Sequence, residues 1–311
     1  MASKVSVITP VYNGGRFINQ YFSNLQQQTY NAVELIMVDD GSTDETLRMC
    51  KQRQAELENK GWSVVILSQK NGGAASAVNT ALKHVTGDYV MLFDIDDLLM
   101  PDNIAAKARF LDQFPEYGMV RNNGYMVSEG NMDDESVPLV DGKEEKANVW
   151  IFDDLVHGRT NNWPSTFMVR FSSFRSINPG LDIYVSQFGQ NLQLMLPVAW
   201  KYKTGFIDEY LTKYVIYKKS HSHSDDPARL NDLRIGYLLN RLKIIEGLNM
   251  PRDKKNHYLR FLKRRICIER ILGNIELHQA KRELVKNVKD CVSLGYYPVR
   301  TLLKAFWYVI G

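Results

Sequence analysis

The stretch 87-GDYVMLFDIDDLLMP-101 runs from a short apolar segment, Tyr89 to Phe93, straight into three carboxylates, Asp94, Asp96 and Asp97. A buried strand does not ordinarily end this way, because ionised acids at such close spacing repel one another unless a cation offsets them. A hard divalent ion such as Mg²⁺ or Mn²⁺ takes oxygen ligands, and is commonly held by one or two carboxylates together with substrate phosphates. Asp94 and Asp96 therefore read as an Asp-x-Asp suited to hold such an ion against a diphosphate. For Asp97, capping of the next helix is an equal alternative, since Leu98 and then Pro101-Asp102 follow it.

Upstream of this stretch the two hydrophobic periods alternate. Val5 to Thr9 reads as a strand stopped by Pro10, and Ile18 to Gln28 as a helix with Phe22 and Leu25 on one face. Val33 to Val38 is a second strand, closed by Asp39-Asp40-Gly41, and Thr43-Asp44-Glu45 opens a helix towards Asn59 with Ser42 or Thr43 as its cap. Ser63 to Leu67 is a third strand, Ala74 to His84 a helix, and Tyr89 to Phe93 the fourth strand. This order predicts an α/β fold with a mostly parallel sheet flanked by helices, in which ligands sit beyond the carboxyl ends of the strands. Each strand ends in a polar cluster: Tyr12-Asn13-Gly14, Asp39 to Ser42, Asn71-Gly72-Gly73, and Asp94 to Asp97. A parallel sheet places all four on one edge, so the acids form one wall of a shared site.

The remaining features bound the function. With 311 residues, 44% hydrophobic and 24% charged, the chain is long enough for one large or two modest domains. Cys50, Cys267 and Cys291 are scattered and odd in number, which argues for a reducing compartment and against a disulfide framework or a zinc site. The N-terminal residues lack the pattern of a secretory signal, and no apolar run is long enough for a transmembrane helix. Of the 39 Lys+Arg and 35 Asp+Glu, residues 251–311 hold 14 and 5, leaving 25 and 30 for residues 1–250. Any polyanionic partner belongs at that basic end. Residues 128–146 read as an exposed acidic loop. From Ala228 the pattern is helical, with Leu230, Leu233, Tyr237, Leu238, Leu242 and Ile245 recurring, and a C-terminal helical extension follows. Its basic helix near His257 to Leu272 is either a solvated face or a peripheral contact with anionic lipid, with Arg260, Lys263, Arg264 and Arg265 among Leu259, Phe261, Leu262 and Ile266. The chain then ends LLKAFWYVIG. No nucleic-acid recognition motif accompanies the charge.

Two acids before the Gly41 turn exceed what a helix cap needs, and a carboxylate there can accept hydrogen bonds from a base edge or ribose. Asn71-Gly72-Gly73 suits close approach of a nucleotide, although glycines also punctuate ordinary turns. Trp150, Trp163 and Trp200 are either stacking platforms for an acceptor or core.

Taken together, VSVITPVYN at 5–13, ELIMVDDGSTDET at 34–46, NGGAASAVNTAL at 71–82 and GDYVMLFDIDDLLMP at 87–101 resemble glycosyltransferase family 2, on the GT-A fold. The resemblance is strong over the first 115 residues and weaker to about residue 220. It implies a glycosyltransferase that moves a sugar from a nucleotide-sugar donor, most often UDP-linked, to a hydroxyl of a glycan or lipid-linked acceptor, with inversion. It implies Asp40 at the base, with Pro10, Tyr12 and Asn13 lining the same pocket and Asn71 and Gly73 beside it. It implies Asp94 and Asp96 on Mg²⁺ or Mn²⁺ and the diphosphate, with a late histidine, His223 or His221, on the same ion. The alternative for those two histidines is a polar linker. Two departures stand out. Val78-Asn79 lacks the Arg that often precedes this Asn in the family. Within 186-SQFGQNLQLMLPVA-199, Gln190-Asn191 stands where a Glu-Asp pair is common, and an amide cannot accept a proton at neutral pH. Similar Gly-Gln-Asn sequences resemble a subgroup of the family. Asp182, nine residues before Asn191, is then the first choice for the base, ahead of Asp208 and Glu209. Gln190 and Asn191 either orient the acceptor or belong to a helix face.

These expectations divide the chain at 220: a catalytic domain at 1–220, with a nucleotide half at 1–115 and an acceptor half at 116–220, and a basic helical extension at 221–311. They place the protein in the cytoplasm, at the inner face of a membrane when the acceptor is lipid-linked. Rival readings are a nucleotide-binding module without catalysis and a sugar nucleotidyltransferase. The latter would want a more basic loop than Tyr12-Asn13-Gly14-Gly15-Arg16.

Overall fold

A computed structural model describes residues 2–217 and 225–310, and the chain divides after Tyr217 into two compact units. The first unit runs β1 (Val5–Val11), α1 (Gly15–Gln26), β2 (Val33–Asp39), α2 (Thr46–Glu58), β3 (Ser63–Ser68), α3 (Ala74–Leu82), β4 (Tyr89–Leu92), β5 (Leu98–Leu99), α4 (Asn103–Gln113) and β6 (Tyr117–Ser128). It continues with α5 (Lys143–Ala147), α6 (Phe152–His157), β7 (Phe167–Arg170), α7 (Phe171–Ile177), α8 (Gln190–Lys201) and β8 (Lys203–Ile216).

Its sheet has the order β3-β2-β1-β4-β7-β6-β8-β5. β3, β2, β1 and β4 are mutually parallel, as are β6 and β8; β7 and β5 pair antiparallel. The α/β fold with a mostly parallel, helix-flanked sheet is the one the alternating periods predict. Helices cover both faces, so β1, β2 and β4 are buried nearly throughout and read as near-continuous apolar runs. On one face, Val5, Val7, Leu35, Met37 and Met91 meet Ile18, Tyr21, Phe22 and Leu25, the inward stripe of α1 at helical spacing. The chain crosses from β1 to β2 in one direction, then from β3 to β4 in the other. In open sheets of this kind such a reversal, here between β1 and β4, is where ligands bind at the carboxyl edge.

The amino edge is closed by charge. Glu34, buried on β2, accepts from the Ser6 hydroxyl, from Thr86 N and Oγ1 at 2.7 and 2.5 Å, and from Gly87 N at 3.1 Å, and meets Lys4 Nζ at 2.6 Å. Burial alone would raise its carboxyl, but these partners outweigh burial and hold it below the usual range.

Three local expectations need correction. α1 begins at Gly15, not Ile18, because Asn13 takes a left-handed conformation (φ 48°) that turns the chain directly into the helix. Neither Ser42 nor Thr43 caps α2, which starts at Thr46: the Ser42 hydroxyl accepts from Asn13 N at 2.9 Å, and Thr46 N donates to Asp44 at 3.0 Å. Asp97 caps no helix. It is buried, accepts from Ser165 Oγ at 3.0 Å and Val215 N at 3.3 Å, and α4 starts only at Asn103. The acidic segment 128–146 is largely exposed, though Val140 is buried and pinned by both amide atoms of Asn123, at 2.8 and 3.0 Å.

The second unit comprises α9 (Pro227–Gly247), α10 (Arg252–Glu276), α11 (Lys281–Ser293) and α12 (Val299–Ile310). Asp226 caps α9 by accepting from Ala228 N at 3.1 Å, with Pro227 in the first turn. Cys267, Ile271, Leu284, Cys291 and Ala305 form its core. All three cysteines are free and buried. Among the described residues no helix is long and apolar enough to cross a membrane.

Candidate functional site

Strand register levels the site. Val11 pairs with Asp39, Asp39 with Ser68, and Ile8 with Leu92, so the segments after β1, β2, β3 and β4 leave the sheet along one edge. Pro10 is partly buried in β1, and Tyr12 is about half exposed beyond it. Asn13 stitches this end to the next: its N–H reaches Ser42 Oγ, and its Oδ1 accepts from Thr43 N at 2.8 Å. Gly14 leaves room for Ile95, the residue between Asp94 and Asp96: a Cβ at Gly14 would lie 2.1 Å from Ile95 Cδ1 and force that side chain to shift.

Asp40 underpins the third cluster. Its carboxylate accepts from Gln69 Nε2 at 2.7 Å, Gly72 N at 3.0 Å and Gly73 N at 2.7 Å, so both oxygens hold the loop that carries Asn71 to the surface. Gly73 has a positive φ of 88° and leads into α3, a backbone shape that favours glycine. Asp39 differs. Oδ2 accepts from Ser68 Oγ at 3.2 Å, while Oδ1 is buried without a partner. A buried carboxylate oxygen left unpaired is costly, and a ligand donor at this edge would relieve it. The paired acids are visible in the sequence; which of the two keeps a free oxygen is not.

Asp94 and Asp96 sit in the turn after β4, closed by Asp97 N donating to Asp94 O at 3.3 Å. Burial, then the charge of Asp96, pushes the Asp94 carboxyl up to about 8. Burial, followed by Asp96 and Asp94, pushes Asp97 up as well. Tyr217 hydroxyl donates to Asp96 O at 3.1 Å, and burial with these neighbouring acids raises it to about 12. A turn this unfavourable for negative charge is suited to a cation. Among the described residues no group of three or more His, Cys, Asp or Glu forms a metal cage. Two carboxylates in a partly buried turn instead fit an ion completed by phosphate oxygens and water, the usual habit of Mg²⁺. His221 and His223 lie outside the described residues.

Beneath the turn is a polar network the sequence reading missed. Buried Lys107 donates to Ser165 O at 2.8 Å, Thr212 Oγ1 reaches the same carbonyl at 3.2 Å, and Ser165 Oγ holds Asp97. Burial pushes the Lys107 ammonium well down. Lys107 lies in α4, Thr212 in β8, and Asp97 and Ser165 in two separate loops, so no local signal links them.

Asp182 is exposed on the loop between α7 and α8. Asn79 ties that loop to α3, accepting from Ile183 N at 2.7 Å and donating to Ile183 O at 2.9 Å. Val78 is buried core, which explains an apolar residue at that position. Gln193 of α8 makes the matching pair with Tyr184, at 2.6 and 2.7 Å. Gln190 and Asn191 begin α8 behind Gly189, and Asn191 Oδ1 is buried without a partner. Asp208 is engaged elsewhere: Lys146 and then Asn123, each 2.9 Å away, hold its carboxyl below the usual range. Glu209 is exposed. Trp163 stacks on Tyr214 at 5.1 Å, Trp200 packs on Phe152 at 5.0 Å, and Trp150 is exposed.

Residues 6–177 match the family model described as Glycosyl transferase family 2. The chain belongs to that family. All four strand-end clusters fall largely or wholly inside the matched segment of this family 2 chain, whereas Asp182, Gln190 and Asn191 lie beyond it. It is 35% identical over 105 residues to the glycosyltransferase GlyG of Streptococcus pneumoniae serotype 4, covering 33% of this chain and 34% of that one. Among the curated relatives the aligned stretch spans from 14% to 53% of the relative's own length. In fold it is similar to S. aureus TarS 1-349 in complex with UDP-GlcNAc (TM-score 0.67, 19% identity, 96% of this chain and 82% of that chain). It is also similar to the mannosyltransferase PcManGT of Pyrobaculum calidifontis in complex with GDP-Man and Mn²⁺ (TM-score 0.56, 18% identity, 100% of this chain and 86% of that chain).

Proposed function

We propose that the chain transfers a glycosyl group from a nucleotide-diphosphate sugar, UDP-linked, to a hydroxyl of a glycan or lipid-linked acceptor, with inversion. The observation that carries the reading is the single carboxyl edge on which the Asp94–Asp96 turn and the Asp39–Asp40 turn stand on either side of β1. Family membership supports it, as do folds shared with proteins solved with UDP-GlcNAc and with GDP-Man and Mn²⁺.

In this reading Pro10, Tyr12 and Asn13 line the base and ribose pocket with the Asp39–Asp40 turn. Asp40 acts by holding Asn71 and Gly73 in place and keeps lone pairs for the ligand, because a carboxylate offers about four acceptor sites. Asp94 and Asp96 would hold Mg²⁺ or Mn²⁺, which when bound neutralises charge on the departing diphosphate. Residues 1–115 thus form the donor half and 116–220 the acceptor half. The acceptor hydroxyl attacks the anomeric carbon from the face opposite the diphosphate. Its proton passes to the Asp182 carboxylate, and the bond to the diphosphate oxygen breaks with its electron pair. Gln190 and Asn191 hydrogen-bond the acceptor, the unpaired Oδ1 of Asn191 accepting a hydrogen bond from a hydroxyl.

A nucleotide-binding module without turnover is the second reading, favoured by the absence of any carboxylate in the first turn of α8. A nucleotidyltransferase fits less well. The turn after β1 is filled by Ile95, and Arg16 lies over the Phe17 and Tyr217 rings at 4.3 and 5.3 Å. Calorimetric titration of UDP with Mn²⁺ and with EDTA, repeated on Asp96→Asn, tests the site. Metal-dependent binding weakened by about tenfold to a hundredfold in the variant is the expected result. Absence of UDP binding under every condition overturns the UDP assignment, and UDP-sugar consumption separates the enzyme from the silent module.

A further inference from the structure

We infer that α12 is a docking helix for an anionic lipid surface. Its sequence, VRTLLKAFWYVI, contains no acidic residue. One side faces its own unit: Ala305 is buried in the core with Ile271, Leu284 and Cys291, and the Tyr308 hydroxyl donates to Gln279 O at 3.3 Å. The other side is open. Val299, Leu303, Phe306 and Trp307 recur at helical spacing and are 65%, 53%, 57% and 66% exposed, with Tyr297 just before them at 62%. Scattered exposed apolar residues are ordinary, but an unbroken aromatic and aliphatic stripe is a contact surface.

The occupant follows from the charge beside the stripe. Arg300 and Lys304 are exposed next to Val299 and Leu303, and among the described residues neither has an acidic partner. Residues 251–311 hold 14 Lys+Arg against 5 Asp+Glu, so the whole segment attracts anions. A stripe of Trp, Phe and Leu flanked by cations is the pattern of a helix that lies in a membrane interface, with aromatic rings at headgroup depth. A symmetric contact with a second copy would set Arg300 and Lys304 against like charge with no acid to receive them.

The structure also relocates the contact within the basic end. In α10 the apolar residues Tyr258, Leu262 and Ile266 are buried and Leu259 and Phe261 partly buried, so Arg260, Lys263 and Arg265 stand outside with no fully exposed apolar stripe beside them. Arg264 lies over the Tyr296 ring at 5.0 Å, and Arg265 bonds Glu269 at 2.8 Å. α10 therefore adds positive field, and α12 supplies the insertion. The inference stands apart from the donor-site reading and survives its failure.

Flotation of the full 311-residue chain with two vesicle types tests it: phosphatidylcholine alone, and phosphatidylcholine mixed with phosphatidylglycerol. Binding to the anionic vesicles, falling as salt rises, is the expected result. The double variant Leu303→Glu/Trp307→Glu should lose that binding, and Arg300→Glu/Lys304→Glu should weaken it on the order of tenfold or more. Both pairs are exposed, so melting temperatures should match the parent and show that the variants fold. Equal binding to both vesicle types, no binding to either, or binding unchanged by Leu303→Glu/Trp307→Glu overturns the inference. So does an oligomer in sedimentation analysis that the same double variant disperses, which would assign the stripe to contact between copies.

Discussion

The two flanks of the site are built differently. On one side, two polar residues are crosslinks: Asn13 joins the ends of β1 and β2, and Asp40 joins β2 to the loop before α3 with three hydrogen bonds. In the loop of Asp182, the amides of Asn79, Gln193 and Asn178 hold the backbone and Ile183 is buried, while Asp182, Tyr184 and Val185 remain exposed. In the proposed reading, the crosslinked strand ends would recognise one fixed group, a nucleotide, and the exposed Asp182 loop would admit a larger and more varied one. The difference also teaches where function is encoded. Crosslinking acids and amides must be those residues, whereas a backbone tether tolerates almost any side chain between its anchors.

The comparison breaks most sharply at Asp182. As general base it should be worth about 10² to 10⁴ in turnover, so Asp182→Asn should lose that much UDP-sugar consumption while binding UDP as the parent does. Turnover unchanged in this variant would leave the tethered loop without its chemical role. Asp40→Ala tests the other flank. It strips three donors of a charged acceptor, and about 3 kcal/mol of unfolding free energy should be lost. Hydrogen exchange at Gly72 and Gly73 should rise together with the denaturant sensitivity.

Glu34 sets the rigid flank against the opposite edge of the same sheet. Its folded carboxyl is held below the ordinary value, so its contribution is fully present above about pH 4.3 and is lost as pH falls through the folded value. Glu34→Gln should therefore cost about 2 kcal/mol at pH 7, and the gap between the two melting curves should close in acid. The smallest effect belongs to Asn79→Ala, about 1 kcal/mol. Limited proteolysis between residues 182 and 187 should speed up while UDP affinity stays level. A matching loss of UDP affinity would show that the two flanks are one structure.

Much of the donor flank was legible before any coordinates. Its strands are buried on both faces, so they appear as apolar runs, and the acids that close them have no place in a core. The boundaries were less legible: α1 starts earlier and α2 later than periodicity suggests, because the side chains of Asn13, Ser42 and Asp44 accept from the backbone N–H groups of Thr43, Asn13, and Gly15 and Thr46, tying the two helix starts together. Asp97 resembles a cap in sequence, yet its partners, Ser165 and Val215, lie 68 and 118 residues away. The sequence leaves the basic tail as a solvated face or a lipid contact shared by the helix near 257–272 and the chain end LLKAFWYVIG, and burial of Leu262 and Ile266 leaves the exposed apolar stripe on α12.

By itself, the sequence determined the α/β order, the carboxyl-edge site and the family, because each rests on local periodicity and on motifs a few residues long. Only the tertiary structure decided which oxygen of the Asp39–Asp40 pair is left unpaired, that Lys107 and Ser165 support Asp97, and that Asn79 anchors the Asp182 loop. The reason is physical. Periodicity records which side of an element is buried, but hydrogen-bond partners are chosen by atoms that meet from distant parts of the chain, and a side chain carries no mark of the partner it will find.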